Sequence, residues 1–490
     1  MRMNVLFVSA EVAPFAKAGG LGDVSASLPR HLHALGHDVR TFLPMYARVK
    51  GHGRVFEEVI PEIAFQLGPH EVKVSIYKCT PPGSTLPVYF VRCGSLYDRA
   101  SIYGNGPDEH LRFAVLCWAA LKACQYMQFA PDIAHVNDWQ TSLIPVLLRS
   151  VFAWDKLFAR TRSVLTIHNL GHQGNFEAKV LPETGLGGTT ELLHQDQLRA
   201  GRFSFLLHGI LHANAITTVS PTYAREIQTP EHGIGLDGFL RGRADVLFGI
   251  LNGIDENEWS PDSDPLISHH FSAGNLEGKE RCKQELMAAA HLPYRREVPV
   301  VGIVSRLVWQ KGFDLCMSVL PQIIQRRGIQ VVILGTGERR FETFFRNLAH
   351  AFPKQVVFQP AFNERRAHLI EAGADMFLMP SRYEPCGLNQ MYSLCYGTVP
   401  IVHKTGGLAD TVWNFDPHSG RGTGFVFENF DETGLAWAIN RAIDIWGTGT
   451  RTDRERWTQI QRNGMRLPLG WDHRIGEYVE LYRKLVPDAD

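Results

Sequence analysis

Short apolar runs recur along the chain and alternate with longer stretches in which apolar positions return every three or four residues. Val5–Val8 opens the series, and a helical pattern from Gly22 to Leu35 follows it. Ile133–Val136, Val164–Ile167 and Ala215–Val219 continue it through the first half. The second half restarts with PVVGIVSRL (299–307), VVILGTG (331–337), VVF (356–358), MFLMPS (376–381) and PIVHKT (400–405). Runs that are apolar on successive residues are buried on both faces, as strands of a parallel sheet are beneath covering helices. Strand, helix, strand in that order predicts an α/β fold built twice over. Between the halves lies GILNGIDENEWSPDSDP (249–265), dense in residues that make turns and end regular structure. It divides the chain into an N-terminal domain, 1–248, and a C-terminal domain, 249–470, while the apolar helical pattern that begins at Trp471 predicts a helix over 471–490 that packs back on the first domain.

At 490 residues the chain exceeds what a single core organises, which fits two domains. Charge narrows the function: 50 basic residues balance 50 acidic ones, so no basic excess speaks for nucleic acid. A neutral partner, or a small one held by a few placed charges, fits better. The eight cysteines show no CxxC pair and no zinc-type spacing, and read as reduced thiols of a cytoplasmic protein. MRMNVLFVSAEV at the start has the apolar run of a signal peptide, but Glu11 interrupts it, and it reads as a first buried strand. No stretch approaches the ~20 apolar residues of a membrane span.

Two nearly identical phrases stand far apart, KAGGLGDV at 17–24 and KTGGLADTV at 404–412. Each falls at a strand-to-helix junction, where a glycine pair removes side chains and the first amides of the helix lack partners, so each is a candidate anion-binding loop. Alone, such a phrase marks a turn more often than a site; two matched copies strengthen the case. In SRLVWQKGFDL, Arg306 and Lys311 follow a strand, and two cations there would neutralise a diphosphate without a metal. Glu384 precedes a probable helix start in MPSRYEPCGLNQMYSL, His168 lies just past a strand in TIHNLGHQG, and Asp138 and Trp139 end another in HVNDWQTSL. Capping, loop hydrogen bonding and surface solvation are the ordinary roles of such residues. ILGTGERR begins like a dinucleotide fingerprint, but Arg340 stands where its third glycine belongs, so no hydride-transfer reading follows.

Together KAGGLGDV, DIAHVNDWQTSL, TIHNLGHQG, TTVSPTYAREI, GILNGID, SRLVWQKGFDL, MPSRYEPCGLNQMYSL and KTGGLADTV resemble the bacterial-type glycogen (starch) synthases, in that family's order. The resemblance implies the GT-B architecture, two Rossmann-like doubly wound domains facing across a cleft. It implies a retaining glucosyltransferase that moves glucose from ADP-glucose to an α-1,4-glucan, with no metal or other cofactor. Carried over by position, it implies catalytic roles for Arg306 and Lys311 on the departing diphosphate, Glu384 on the sugar hydroxyls and His168 beside the reacting sugar. Lys17, Gly19, Gly20 and Asp23 would meet the donor from the N-terminal domain. Phe362 would meet the nucleoside base, and Cys386, Gly387, Leu388, Thr405, Gly406 and Gly407 would surround the donor from the C-terminal domain. Asp138 and Trp139 would lie on the acceptor side. A second acid eight residues after Glu384, found in related enzymes, is here Tyr392, which favours front-face substitution.

Some positions depart from the family pattern: His172, Leu207 with His208, Cys395 and His403. Up to three cations are thereby lost near the donor or acceptor. Use of UDP-glucose or another acceptor, or a catalytically silent paralogue that binds glucan or nucleotide sugar, are the alternatives. The motif residues Lys17, His168, Arg306, Lys311 and Glu384 all stand in place against the silent form.

Overall fold

The computed structural model describes residues 2–50, 54–81 and 83–486. The chain forms two compact units, Met1–Asn252 with Trp471–Asp490, and Gly253–Gly470.

The first unit is built on a nine-stranded sheet. Its strands are β1 (Asn4–Val8), β2 (Asp38–Pro44), β3 (Glu57–Leu67), β4 (His70–Cys79), β5 (Val88–Arg92), β6 (Ile133–Asn137) and β7 (Arg162–Ile167). A separate two-stranded ribbon follows, β8 (Asn175–Glu177) with β9 (Arg202–Ser204), and then β10 (Ala215–Thr218) and β11 (Leu247–Gly249) complete the main sheet. The spatial order is β11-β10-β7-β6-β1-β2-β5-β4-β3. Pairing is parallel from β11 to β5, and the β3–β4 and β4–β5 contacts are antiparallel. β1 lies between β2 and β6, with Val5 opposite Val39 on one side and Ile133 on the other. The chain therefore winds outward from β1 first one way and then the other, and the direction reverses between β1 and β6. Ligands of doubly wound sheets bind beyond the strand ends at such a reversal.

One face of β1 is covered by the helix Gly20–Ala34 through Val24, Leu28 and Leu32, a helical repeat. Trp471, Tyr478 and Tyr482 pack into the same cluster. The Tyr482 hydroxyl is hydrogen-bonded to Nδ1 of His135 on β6. Ile250 is buried with this unit and donates its N–H to Thr218 on β10, so the chain remains in the first unit until Asn252.

The second unit holds a fully parallel sheet: β12 (Val300–Val304), β13 (Gln330–Leu334), β14 (Val356–Gln359), β15 (Met376–Met379), β16 (Val399–His403) and β17 (Phe425–Phe427). The order β14-β13-β12-β15-β16-β17 places its reversal between β12 and β15. Strands and covering helices share one large core that includes Val301, Ile303, Phe313, Ile333, Phe341 and Ile401. Two Rossmann-like α/β domains are thus present, the class expected of a GT-B protein. Among the described residues no helix is long and apolar enough to cross a membrane.

Candidate active site

In the first unit, the expected residues gather at the ends of β1, β6 and β7. The loop from β1 to the helix Gly20–Ala34 is braced by Glu11, a buried carboxylate absent from the sequence-derived site. The N–H groups of Ala18 and Gly19 donate to its Oε2 at 2.6 and 3.1 Å, and the Tyr103 hydroxyl donates to its Oε1. Burial raises the Glu11 carboxyl above its ordinary value, although these three donors pull the other way. One expectation is corrected here: the Gly19 amide is not waiting for an anion but already serves Glu11. Lys17 and Asp23 form an ion pair at 2.6 Å within the phrase itself.

Asp138 opens the turn after β6 with φ of 55°, a left-handed conformation uncommon outside glycine. Its Oδ1 accepts the N–H of His168 at 2.7 Å and that of Asn169 at 3.4 Å. Burial nevertheless pushes the Asp138 carboxyl up to about 7, and the Glu11 charge adds to the effect. His168 Nε2 lies 2.9 Å from Asn137 Oδ1, which places the ring proton on Nε2. Burial holds this imidazole far below its usual range, so it is neutral near pH 7. The β6 and β7 ends thus form one constellation of Asn137, Asp138 and His168. Trp139 turns away from it: its ring packs on Phe113, Phe176 and Phe205, with the Phe113 centroid at 4.9 Å. It supports the turn from inside rather than offering a face to a sugar.

In the second unit, the β12 and β15 ends flank the sheet's reversal, and they carry Arg306, Lys311 and Glu384. Lys311 Nζ donates to Glu384 Oε2 at 2.5 Å, and the Ser381 hydroxyl donates to the same oxygen at 2.9 Å. Glu384 is buried, while Arg306 is exposed and forms no ion pair among the described residues. The two loops are clamped by backbone and rings. Arg382 donates its N–H to the Gln310 carbonyl at 2.9 Å. Its guanidinium lies over Trp309 at 4.4 Å and over Phe430 at 4.2 Å, and pairs with Asp314 at 2.7 Å. Trp309, Arg382 and Phe430 escaped the sequence reading, since their contact needs three separate loops to meet.

The second glycine phrase follows β16. Gly407 donates its N–H to the carbonyls of Glu384 and Pro385 at 3.1 and 3.2 Å, so this amide too faces protein. A Cβ on Gly406 would stand 1.9 Å from the Glu384 carbonyl oxygen, and one on Gly407 2.0 Å from that of Cys386. Gly406 also has φ of 43°. The pair therefore packs closely under the Glu384 loop, and the Gly407 amide is not the bare anion-binding group expected of a helix start. Thr405, the N-cap residue, is buried, and Gly387 has φ of 71° beside the half-exposed Leu388. The Gln390 amide donates to the carbonyls of Cys386 and Gly387 and fixes that turn. Phe362 stands apart, 89% exposed between β14 and the helix Glu364–Gly373.

The departures from pattern are mostly absorbed by packing. Leu207 is fully buried, and His208 accepts the His194 N–H and donates to the Ser204 carbonyl. Burial pushes His208 down to about 4, so no cation is restored there. Cys395 donates its S–H to the Trp259 carbonyl at 3.3 Å. His403 packs between Phe427 and Phe430 with Nδ1 on the Ser381 carbonyl. His172 is exposed.

Residues 4–242 match the family described as "Starch synthase catalytic domain", and residues 288–463 match "Glycosyl transferases group 1". The chain is 43% identical over 488 residues to a glycogen synthase of Thermotoga maritima, covering 99% of both chains. It is 44% identical over 491 residues to one of Anaeromyxobacter dehalogenans, covering 99% of this chain and 100% of that one. Among solved structures, it is similar to the catalytic domain of starch synthase IV from Arabidopsis thaliana, solved with ADP and acarbose. The TM-score there is 0.90 at 33% identity, with 99% of this chain and 100% of the other covered. A sucrose-phosphate synthase of Thermosynechococcus elongatus shares the fold, with a TM-score of 0.61 at 18% identity and full coverage of both chains. With its site residues grouped at the sheet reversals of two Rossmann-like units, the chain belongs to the glycogen and starch synthase family of glucosyltransferases.

Proposed function

We propose that the protein transfers glucose from ADP-glucose to the non-reducing end of an α-1,4-glucan with retention of the anomeric configuration. The observation that carries this reading is the grouping of Arg306, Lys311 and Glu384 at the reversal of the second sheet, in a chain that belongs to this family. The starch synthase IV relative was solved with ADP, which supports a nucleoside diphosphate as the group those cations meet.

Cleavage of the bond to the nucleotide leaves a sugar with oxocarbenium character and a growing charge on the diphosphate. Arg306 offers an exposed guanidinium, and Lys311 is pre-positioned by its contact with Glu384. Each cation aimed at that developing charge is worth roughly 3 kcal/mol of barrier. Glu384 and Ser381 orient Lys311 and meet the sugar hydroxyls, while Phe362 stacks on the nucleoside base. Cys386, Gly387, Leu388, Thr405, Gly406 and Gly407 shape the donor pocket around them. Lys17, Gly20 and Asp23, with the bare Cα of Gly19 rather than its amide, are the first unit's donor contacts, and neutral His168 hydrogen-bonds the transferred sugar, with Asp138 on the acceptor side.

A double displacement would need an ionised carboxylate as nucleophile. Tyr392 occupies the position of a second acid and is stacked on Trp259 at 3.8 Å. In the first unit, burial raises both Glu11 and Asp138 towards their neutral forms. That supports front-face substitution, with the departing diphosphate taking the acceptor's proton. ADP-glucose is then a co-substrate, the transfer step itself calls for no cofactor or metal, and the eight cysteines, none in a disulfide, suit a reducing cytoplasm.

Glucose incorporation into glycogen from ADP-glucose and from UDP-glucose, measured in parallel with Glu384→Ala as the blank, tests the reading. Incorporation from ADP-glucose that disappears in the variant, with an α-linked product by NMR, is the expected result. Activity with UDP-glucose alone would overturn the donor, and no activity with either would favour a silent binding protein.

A further inference from the structure

The helix Glu364–Gly373 carries Glu364 and His368 four residues apart, so both lie on one face. Glu258, from the turn just inside the second unit, meets them there: one ligand atom from each of the three residues lies within 4.8 Å of the other two. Glu258 and Glu364 are exposed, whereas His368 is fully buried. Its Nδ1 lies 2.8 Å from Asp264 Oδ2, a buried carboxylate that also accepts the Tyr396 hydroxyl at 2.6 Å. Asp264 thereby fixes the ring proton on Nδ1 and leaves a lone pair on Nε2. That Nε2 is buried and has no hydrogen-bond partner. The ring cannot swing to find one, because Trp259 stacks on it with centroids 3.7 Å apart.

A buried acceptor left without a partner calls for an ion or a water. A carboxylate holding Nδ1 is the arrangement that fixes the ring of an imidazole ligand for coordination through Nε2. We propose that Glu258, Glu364 and His368 bind one divalent transition-metal ion of the zinc class. One imidazole nitrogen with two carboxylate oxygens suits that class, neutralises its charge and leaves coordination positions for water. Tetrahedral ligands about 2.1 Å from an ion stand about 3.4 Å apart. Closing from 4.8 Å is a side-chain movement of little more than about 1 Å. The ion would join the turn at Glu258 to the helix Glu364–Gly373, a structural position apart from Arg306, Lys311 and Glu384.

The test uses the full chain without an affinity tag, stripped with a chelator and titrated with zinc chloride by calorimetry and with cobalt chloride by visible absorption. The variants are Glu364→Gln, Glu258→Gln and the double variant; both positions are exposed, so folding is preserved and is checked by circular dichroism. One equivalent is expected to bind the wild type, with at least tenfold weaker binding in each single variant and none saturable in the double. The cobalt spectrum should show d–d bands without thiolate charge transfer, and zinc should raise the melting temperature of the wild type most, that of each single variant less and that of the double variant not at all. Absence of saturable binding in the wild type would overturn the proposal, leaving a water on Nε2. Equal binding in the double variant, or thiolate bands, would overturn it by moving the ion to the cysteines.

Discussion

Alanine at the two glycine phrases should give opposite results. In Gly406→Ala, the new Cβ falls 1.9 Å from the Glu384 carbonyl oxygen, where side-chain carbons ordinarily come no nearer than about 3.4 Å. Backbone must move by more than 1 Å, and the left-handed φ of 43° adds its own strain. Overpacking of this kind costs about 1–3 kcal/mol, and the strained conformation adds roughly 1 kcal/mol. For a unit of this size, each kcal/mol lowers the melting temperature by about 2–4 °C. A total near 3 kcal/mol therefore predicts a fall of about 6–12 °C. Because the displaced oxygen belongs to Glu384, glucose transfer should also fall at least tenfold. Gly19 has extended backbone, with φ of −161°, and nothing within 4 Å of a built Cβ. Gly19→Ala should leave the melting temperature within about 2 °C, since surface changes usually stay within ±0.5 kcal/mol. Differential scanning calorimetry beside a glucose-incorporation assay measures both effects. Equal melting temperatures for Gly406→Ala and the wild type would refute the packing argument. An equal loss in Gly19→Ala would refute the distinction between the phrases. A stable but inactive Gly19→Ala would mean that a ligand, not the fold, needs the bare backbone there.

Lys311→Ala should reduce kcat about 100-fold, the effect of losing ~3 kcal/mol of charge stabilisation, and an unchanged rate would remove Lys311 from the chemistry. Asp138 gives a pH signature: its folded value of about 7 lies above the ordinary 3.8, so ionisation in the folded state is unfavourable. The penalty grows as pH rises from about 4 to 7 and then levels off at roughly 4 kcal/mol at most. Asp138→Asn should therefore gain stability over the wild type at pH 8 relative to pH 5, read from urea midpoints, and a gap that is flat with pH would refute the burial argument. Tyr482→Phe keeps the ring but strips His135 Nδ1 of its partner, which should cost about 1–3 kcal/mol; no change in the urea midpoint would mean that water replaces the hydroxyl.

The architecture was legible because doubly apolar runs such as Val5–Val8 and MFLMPS have few ways to be buried except in parallel strands. The positions of Arg306, Lys311, Glu384, Asp138 and His168 at strand ends were legible for the same reason. Their partners were not. The two Lys-x-Gly-Gly phrases are spelled alike, yet one wraps the side chain of Glu11 and the other lies under the backbone of Glu384. That difference comes from which strand is adjacent, and a linear pattern carries no adjacency. Glu11 itself stood out only as a charge ending an apolar run; two of its donors come from its own loop and the third, Tyr103, from a distant one. Trp139 was expected on the acceptor side with Asp138, but the Phe113, Phe176 and Phe205 rings that enclose it come from other elements.

The return of Trp471, Tyr478 and Tyr482 to the core around β1 sets the order in which the molecule can be born. The second unit is one continuous stretch, Gly253–Gly470, and can condense as soon as it leaves the ribosome. The first unit is translated earlier yet finishes later, since one wall of its core arrives only with the last helix. At 5–20 residues per second, the ribosome takes on the order of 10–50 s to deliver that helix after Asn252. Throughout that interval the nascent first unit exposes the apolar surface around β1 that Trp471, Tyr478 and Tyr482 later cover.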